Sequence, residues 1–67
     1  MKFIDLRDGT NFHLPGSLSI LFCKIPRLSI KMGRDGFSLN CLRKDPSKMF
    51  LEVSFIGDDD DVCISEF

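Results

Sequence analysis

Residues 28–41 read LSIKMGRDGFSLNC. Two runs of alternating apolar and polar residues flank a centre rich in glycine and aspartate, which is the pattern of a β-hairpin. With Asp35 and Gly36 as a two-residue turn that needs positive φ at both positions, Met32 falls opposite Leu39 and Ile30 opposite Cys41. Opposed residues share a face, so one apolar face forms at once. Ser29, Lys31, Ser38 and Asn40 go to the other face, and only Leu42 interrupts its polarity without an evident partner.

Working outward, residues 49–55 (MFLEVSF) read as the next strand, with Leu51, Val53 and Phe55 on one face and Glu52 and Ser54 on the other. A loop of Asp45 to Lys48 alone would set Cys41 against Glu52 and Leu39 against Ser54. A loop of odd length, or a bulge, is therefore expected, because a one-residue slip moves every side chain to the other face. The competing reading is a short helical turn near 45–50, capped by Asp45 with Pro46 at the first helical position. On the N-terminal side, LSILFCKI at 18–25 is nearly continuously apolar, as a central strand covered on both faces would be, and Pro26 ends or bends it. Before it, FIDL and NFHL flank RDGT as a first hairpin in which Ile4 opposes Leu14, Leu6 opposes Phe12 and Asp5 faces His13. At the far end, VCISEF reads as a last, short edge strand.

Turn signals thus recur every 8–12 residues or so, the spacing of all-β proteins, and no helical period runs through the chain. The expected fold is all-β: one domain over residues 1–67, a small antiparallel meander or partly open barrel of five to six short strands. Its apolar face would hold Ile4, Leu6, Phe12, Leu14, Ile20, Phe22, Ile30, Met32, Leu39, Cys41, Leu51, Val53 and Phe55. A chain of 67 residues that is 43% hydrophobic and 28% charged has a globular composition. A domain of that size buries only about 60% of the surface its unfolded chain exposes, so a partner or a second copy would help to stabilise it.

The three cysteines, Cys23, Cys41 and Cys63, include no CxxC pair and are odd in number, which reads as buried thiols in a reducing cytosol. The N-terminus lacks the apolar core of a secretory signal, and no apolar run approaches the ~20 residues that span a bilayer. A soluble protein in the cytoplasm of a bacterial or host cell is expected, without membrane partners. One histidine, His13, and no local nucleophile signature leave no catalytic residue to name. Scattered cysteines do not offer the closely spaced ligand pairs of structural zinc. The four consecutive aspartates fail the calcium-loop pattern, because Val62 occupies the fifth position counted from Asp58. No metal or cofactor is implied.

Charge is segregated along the chain although the net is −1. Over residues 24–48, Lys24, Arg27, Lys31, Arg34, Arg43, Lys44 and Lys48 outweigh Asp35 and Asp45, for +5. Residues 49–67 hold only acids, Glu52, Asp58, Asp59, Asp60, Asp61 and Glu66, for −6. Four contiguous carboxylates repel one another and cannot be buried unpaired, so they occupy a solvated loop or meet a cationic surface. As a solvated connector they would keep the flanking apolar strands from aggregating. As a binding element, Asp58, Asp59, Asp60 and Asp61 would be offered to a partner protein with a basic surface. The leading expectation is a non-enzymatic protein-binding module acting by surface occlusion, of the size and charge that would suit a phage or mobile-element inhibitor of a host defence protein, anti-CRISPR-like in manner. Two alternatives are a small nucleic-acid-binding β-barrel using Lys31, Arg43, Lys44 and Lys48, and a structural subunit of a homo-oligomer such as a homodimer.

Overall fold

The computed structural model describes residues 1–65. It is all-β apart from a 3-10 turn at Phe3–Asp5, with strands β1 (Asn11–Leu14), β2 (Ser17–Met32), β3 (Asp35–Lys44), β4 (Glu52–Ser54) and β5 (Cys63–Ile64). They form one open antiparallel sheet in the order β4-β3-β2-β1-β5. Consecutive strands are neighbours from β1 to β4, and β5 returns to the free edge of β1. Of the last strand expected over residues 62–67, Glu66 and Phe67 lie outside the described residues.

The central hairpin forms, with its turn two residues earlier than the sequence suggests. Met32 opposes Asp35 and Ile30 opposes Phe37, so Gly33 and Arg34 make the turn. Gly33 has φ 64°, and among the described residues only glycines take positive φ. A turn with positive φ only at its first central residue suits Gly33-Arg34, whereas Asp35-Gly36 would have forced an aspartate into the left-handed region. Gly36 instead lies within β3, opposite Lys31, where a Cβ would stand 3.0 Å from the Ile30 carbonyl oxygen.

Pro26 bends β2 without ending it. Lys24 opposes Cys41 and Leu28 opposes Leu39, so Ile25, Pro26 and Arg27 bulge against the single residue Asn40. Beyond the bulge neither strand has a third neighbour among the described residues: the β1 pairing stops at Cys23, and the β4 pairing spans only Cys41 to Arg43. Residues 28–39 consequently project as a two-stranded arm. The radius of gyration of 12.3 Å exceeds the ~11 Å of a compact chain of this length.

In the body of the molecule, Phe12 and Phe22 oppose each other across β1 and β2 with rings stacked at 5.3 Å, and Phe3 meets Phe12 edge-on at 5.5 Å. Leu6, Cys41, Ile56 and Val62 complete the core, with Leu14 and Ile20 packed against it. Phe3, Leu6, Ile56 and Val62 come from outside the strands, so the two ends of the chain cover one face of the sheet. Phe3, Ile56 and Val62 were not foreseen there. Ile4, Ile30, Met32, Leu51, Val53 and Phe55, expected inside, are exposed.

Two pairings differ from expectation for one physical reason each. The expected first hairpin is absent, because β5 occupies the edge of β1 that residues 3–6 would have used. His13 therefore opposes Cys63 rather than Asp5. The expected slip between β3 and β4 does not occur either: Cys41 opposes Ser54, Leu42 opposes Val53 and Arg43 opposes Glu52. On the inner side Glu52 pairs with Arg43 at 3.6 Å, and the Ser54 backbone carbonyl accepts the Cys41 thiol at 3.4 Å. Val53 is left to the outer face. There it joins Cys23 across Leu42, which accounts for the residue that had no place. Residues 45–48 form a single turn closed by Lys48 N–H donating to the Asp45 carbonyl at 3.0 Å, and the helical turn of this chain is the one at Phe3–Asp5.

Truncating Phe12, which is fully buried, should cost about 3–5 kcal/mol, much of the ~3–10 kcal/mol available to a domain of this length. In urea denaturation the midpoint of Phe12→Ala should fall far below that of the parent chain, while Phe37→Ala on the arm should lose less than about 1 kcal/mol. Equal losses would contradict this division into body and arm.

Candidate functional site

The four aspartates sit in a tight, well-anchored turn. Asp60 N–H donates to the Gly57 carbonyl at 3.1 Å, and Gly57 N–H donates to the Asp60 carboxylate at 3.1 Å. The Asp58 and Asp60 carbonyls accept from Ile4 N–H and Phe3 N–H at 3.1 and 2.9 Å, Lys2 bridges to Asp61, and Val62 N–H donates to the Met1 carbonyl at 2.8 Å. Buried Ile56 and Val62 hold the turn from both sides. The backbone is thus committed to the fold while all four aspartates remain exposed. Among the described residues their one ion pair is Lys2 with Asp59 at 3.5 Å, where the Asp59 side chain is 90% exposed, a contact worth little in water.

Two polar side chains from the sheet fix this arrangement. Asn40 donates to the Ile56 carbonyl at 2.7 Å and accepts from Ile56 N–H at 2.9 Å, so its amide acts as a strand partner at the entrance to the turn. The Lys24 ammonium donates to the Phe3 and Leu6 carbonyls at 3.0 and 2.6 Å and lies 4.6 Å from the centre of the Phe3 ring. Nothing in a strand-period reading of the sequence gives either residue such a role, because alternation assigns faces and not side-chain partners outside the sheet. Lys24, Asn40, Asp8 and Asp58 line a cavity of about 370 Å³ at the root of the arm, together with Ile25, Pro26 and Arg27.

Beside the acidic turn, the arm carries an apolar stripe. The pairs Leu28 with Leu39 and Ile30 with Phe37 each share a face, and Met32 continues it towards the tip. Leu39 is buried at the root, but Leu28, Ile30, Met32 and Phe37 are 53%, 41%, 66% and 48% exposed. Ser29 and Ser38, with hydroxyls 3.2 Å apart, and Lys31 lie on the reverse side.

The four basic residues considered for nucleic acid are not brought together. Lys31 is on the arm, while Arg43 and Lys44 lie on successive positions of β3 and so face opposite sides. Arg43 pairs with Asp45 at 3.5 Å and with Glu52 at 3.6 Å, and Lys48 with Glu52 at 2.8 Å. Within this cluster, hydrogen bonds from the Ser47 hydroxyl and backbone N–H, at 2.7 and 2.9 Å, hold the Asp45 carboxyl below the ordinary aspartate range. A carboxyl depressed on folding contributes stability above its unfolded pKa and loses that contribution as pH falls through the folded value.

The thiols occupy three environments: Cys41 is buried, Cys23 half-buried and Cys63 exposed, so the expectation of three buried thiols fails at the edge strand. Burial pushes the Cys41 thiol pKa up, against a smaller opposing effect of its hydrogen bond to Ser54. Among the described residues no group of three His, Cys, Asp or Glu side chains could hold a metal ion, and no helix is long and apolar enough to cross a membrane. On the outer face, Leu21, Cys23, Leu42 and Leu51 line a shallow depression of about 150 Å³. No protein-family model matches the chain, and neither does any curated protein or solved structure.

Two measurements check these environments. With a thiol reagent on the native protein, Cys63 should react first, Cys23 more slowly and Cys41 only on unfolding; fast modification of Cys41 would contradict its burial. In a carboxyl NMR titration, Ser47→Ala should raise the pKa of Asp45, and an unmoved value would deny Ser47 its part.

Proposed function

We propose that the protein is a non-enzymatic protein-binding module that acts by covering part of a partner's surface, with Asp58, Asp59, Asp60 and Asp61 directed at a cationic groove. The observation that carries this reading is the contrast within the acidic turn, where the Asp58 and Asp60 carbonyls and the Asp60 and Val62 N–H groups are hydrogen-bonded into the fold while all four aspartates stay exposed. Charges held in place before binding lose little freedom when a partner arrives. A compact cluster of four also steers a basic surface into encounter and disfavours acidic competitors. Covering a functional surface is how a phage or mobile-element inhibitor of a host defence protein would work in the cytoplasm, and the size and charge pattern of the chain support that finer reading. Nucleic acid is the weaker candidate, because Arg43 and Lys48 are engaged with carboxylates and Lys31 is remote from both.

The test is capture of a partner from native host extract by immobilised protein. Asp60 is kept in the variant, since its carboxylate accepts from Gly57. Asp58→Asn, Asp59→Asn and Asp61→Asn together should reduce capture at least tenfold and flatten its dependence on salt. Undiminished capture by the triple variant would remove the acidic turn from the mechanism.

A further inference from the structure

The cavity at the Pro26 bulge, of about 370 Å³, falls within the ~300–1,000 Å³ of small-molecule sites. Two cations of β2, Lys24 and Arg27, line it together with two anions from the loops, Asp8 and Asp58. Among the described residues none of these four is in an ion pair. Each is anchored separately instead. The Lys24 ammonium has three donors and gives two of them to the Phe3 and Leu6 carbonyls, at 3.0 and 2.6 Å. The Arg27 guanidinium lies 5.4 Å from the centre of the Phe55 ring. Asp8 precedes Gly9, whose N–H donates to the Lys24 carbonyl at 2.6 Å, and Asp58 is tied by its carbonyl to Ile4 N–H at 3.1 Å.

We propose that this cavity binds a small zwitterion, an α-amino acid with an apolar side chain. Its four charged residues sum to zero, so a bare anion would meet Asp8 and Asp58, and a bare cation would meet Lys24 and Arg27, at the cost of like-charge contact. A molecule carrying both signs satisfies both sets. The ligand carboxylate takes the third Lys24 donor and the Arg27 fork in charge-assisted hydrogen bonds, and the ligand ammonium donates to Asp8 and Asp58. Ile4, Ile25 and Pro26 also line the cavity and offer apolar surface to the side chain. Because the four charges are anchored apart before a ligand arrives, no internal ion pair has to break on binding. The inference goes beyond the proposed function, because its ligand is a small molecule and its readout is taken on the purified chain alone.

An NMR titration of the purified, isotope-labelled protein with L-leucine tests it. The backbone signals of Ile25 and Arg27 and the side-chain amide of Asn40 should shift together, with a dissociation constant on the order of 1 mM. N-acetyl-L-leucine, which lacks the ammonium, and L-leucinamide, which lacks the carboxylate, should each bind about tenfold more weakly. Asp8→Asn and Arg27→Gln should each weaken leucine binding roughly fivefold with the far-UV circular dichroism unchanged. The absence of any shift at roughly twenty times the expected constant would overturn the inference. So would an analogue that binds as tightly as leucine, or a pair of variants that both bind leucine as the parent chain does.

Discussion

Pro26 is the constraint on which the division of the molecule depends. A proline has no N–H to give to a ladder, and this one lies where β2 leaves its neighbour β1 behind. The strand continues only by bulging, with three residues against Asn40. On one side of the bulge a five-stranded sheet has a buried aromatic core; on the other, two strands continue alone. Local chemistry at a single position thus separates a region whose apolar residues are covered from one whose apolar residues are not.

Asn40, opposite the bulge, and Lys24, the last paired residue before it, both reach outside the sheet. Asn40 binds both backbone groups of Ile56, and Lys24 satisfies two carbonyls of the N-terminal segment. A buried polar side chain is tolerable only when its partners are present, and here those partners belong to the segments that carry the acidic turn. The sheet therefore positions the turn through directed hydrogen bonds, while Ile56 and Val62 supply the hydrophobic anchorage. Neither contact involves a carboxylate, so Asp58, Asp59 and Asp61 could vary while the scaffold beneath them stayed the same, whereas Asp60 is tied to it through the Gly57 N–H.

Alternation made the class of fold legible, together with the central hairpin, the bend at Pro26 and the solvated acidic turn. Phe12, Phe22, Leu39 and Cys41 were readable as core for the same reason. The errors share a cause. Period-two patterning tells which residues lie together, but not which side will be covered, and the cover here comes from irregular segments at both ends of the chain. Hence Phe3, Ile56 and Val62 went unrecognised, while Val53 and Met32, in well-patterned strands, were credited with burial that nothing provides. The turn was misplaced because Gly33-Arg34 and Asp35-Gly36 differ by two residues and preserve the same faces, leaving the pattern silent between them. Of the candidate sites, the acidic one stayed contiguous because its members are adjacent in sequence; the basic one was scattered because its members are not.

The bridge between Lys2 and Asp61 has a consequence for how the chain matures. Contacts between successive strands close short loops, but this clasp joins residues 59 positions apart, and closure over such a span carries an entropic cost that neighbouring pairings do not. Until Ile56 and Val62 dock, the phenylalanine stack lacks part of its cover. The body of the molecule is therefore closed by one distant contact rather than element by element.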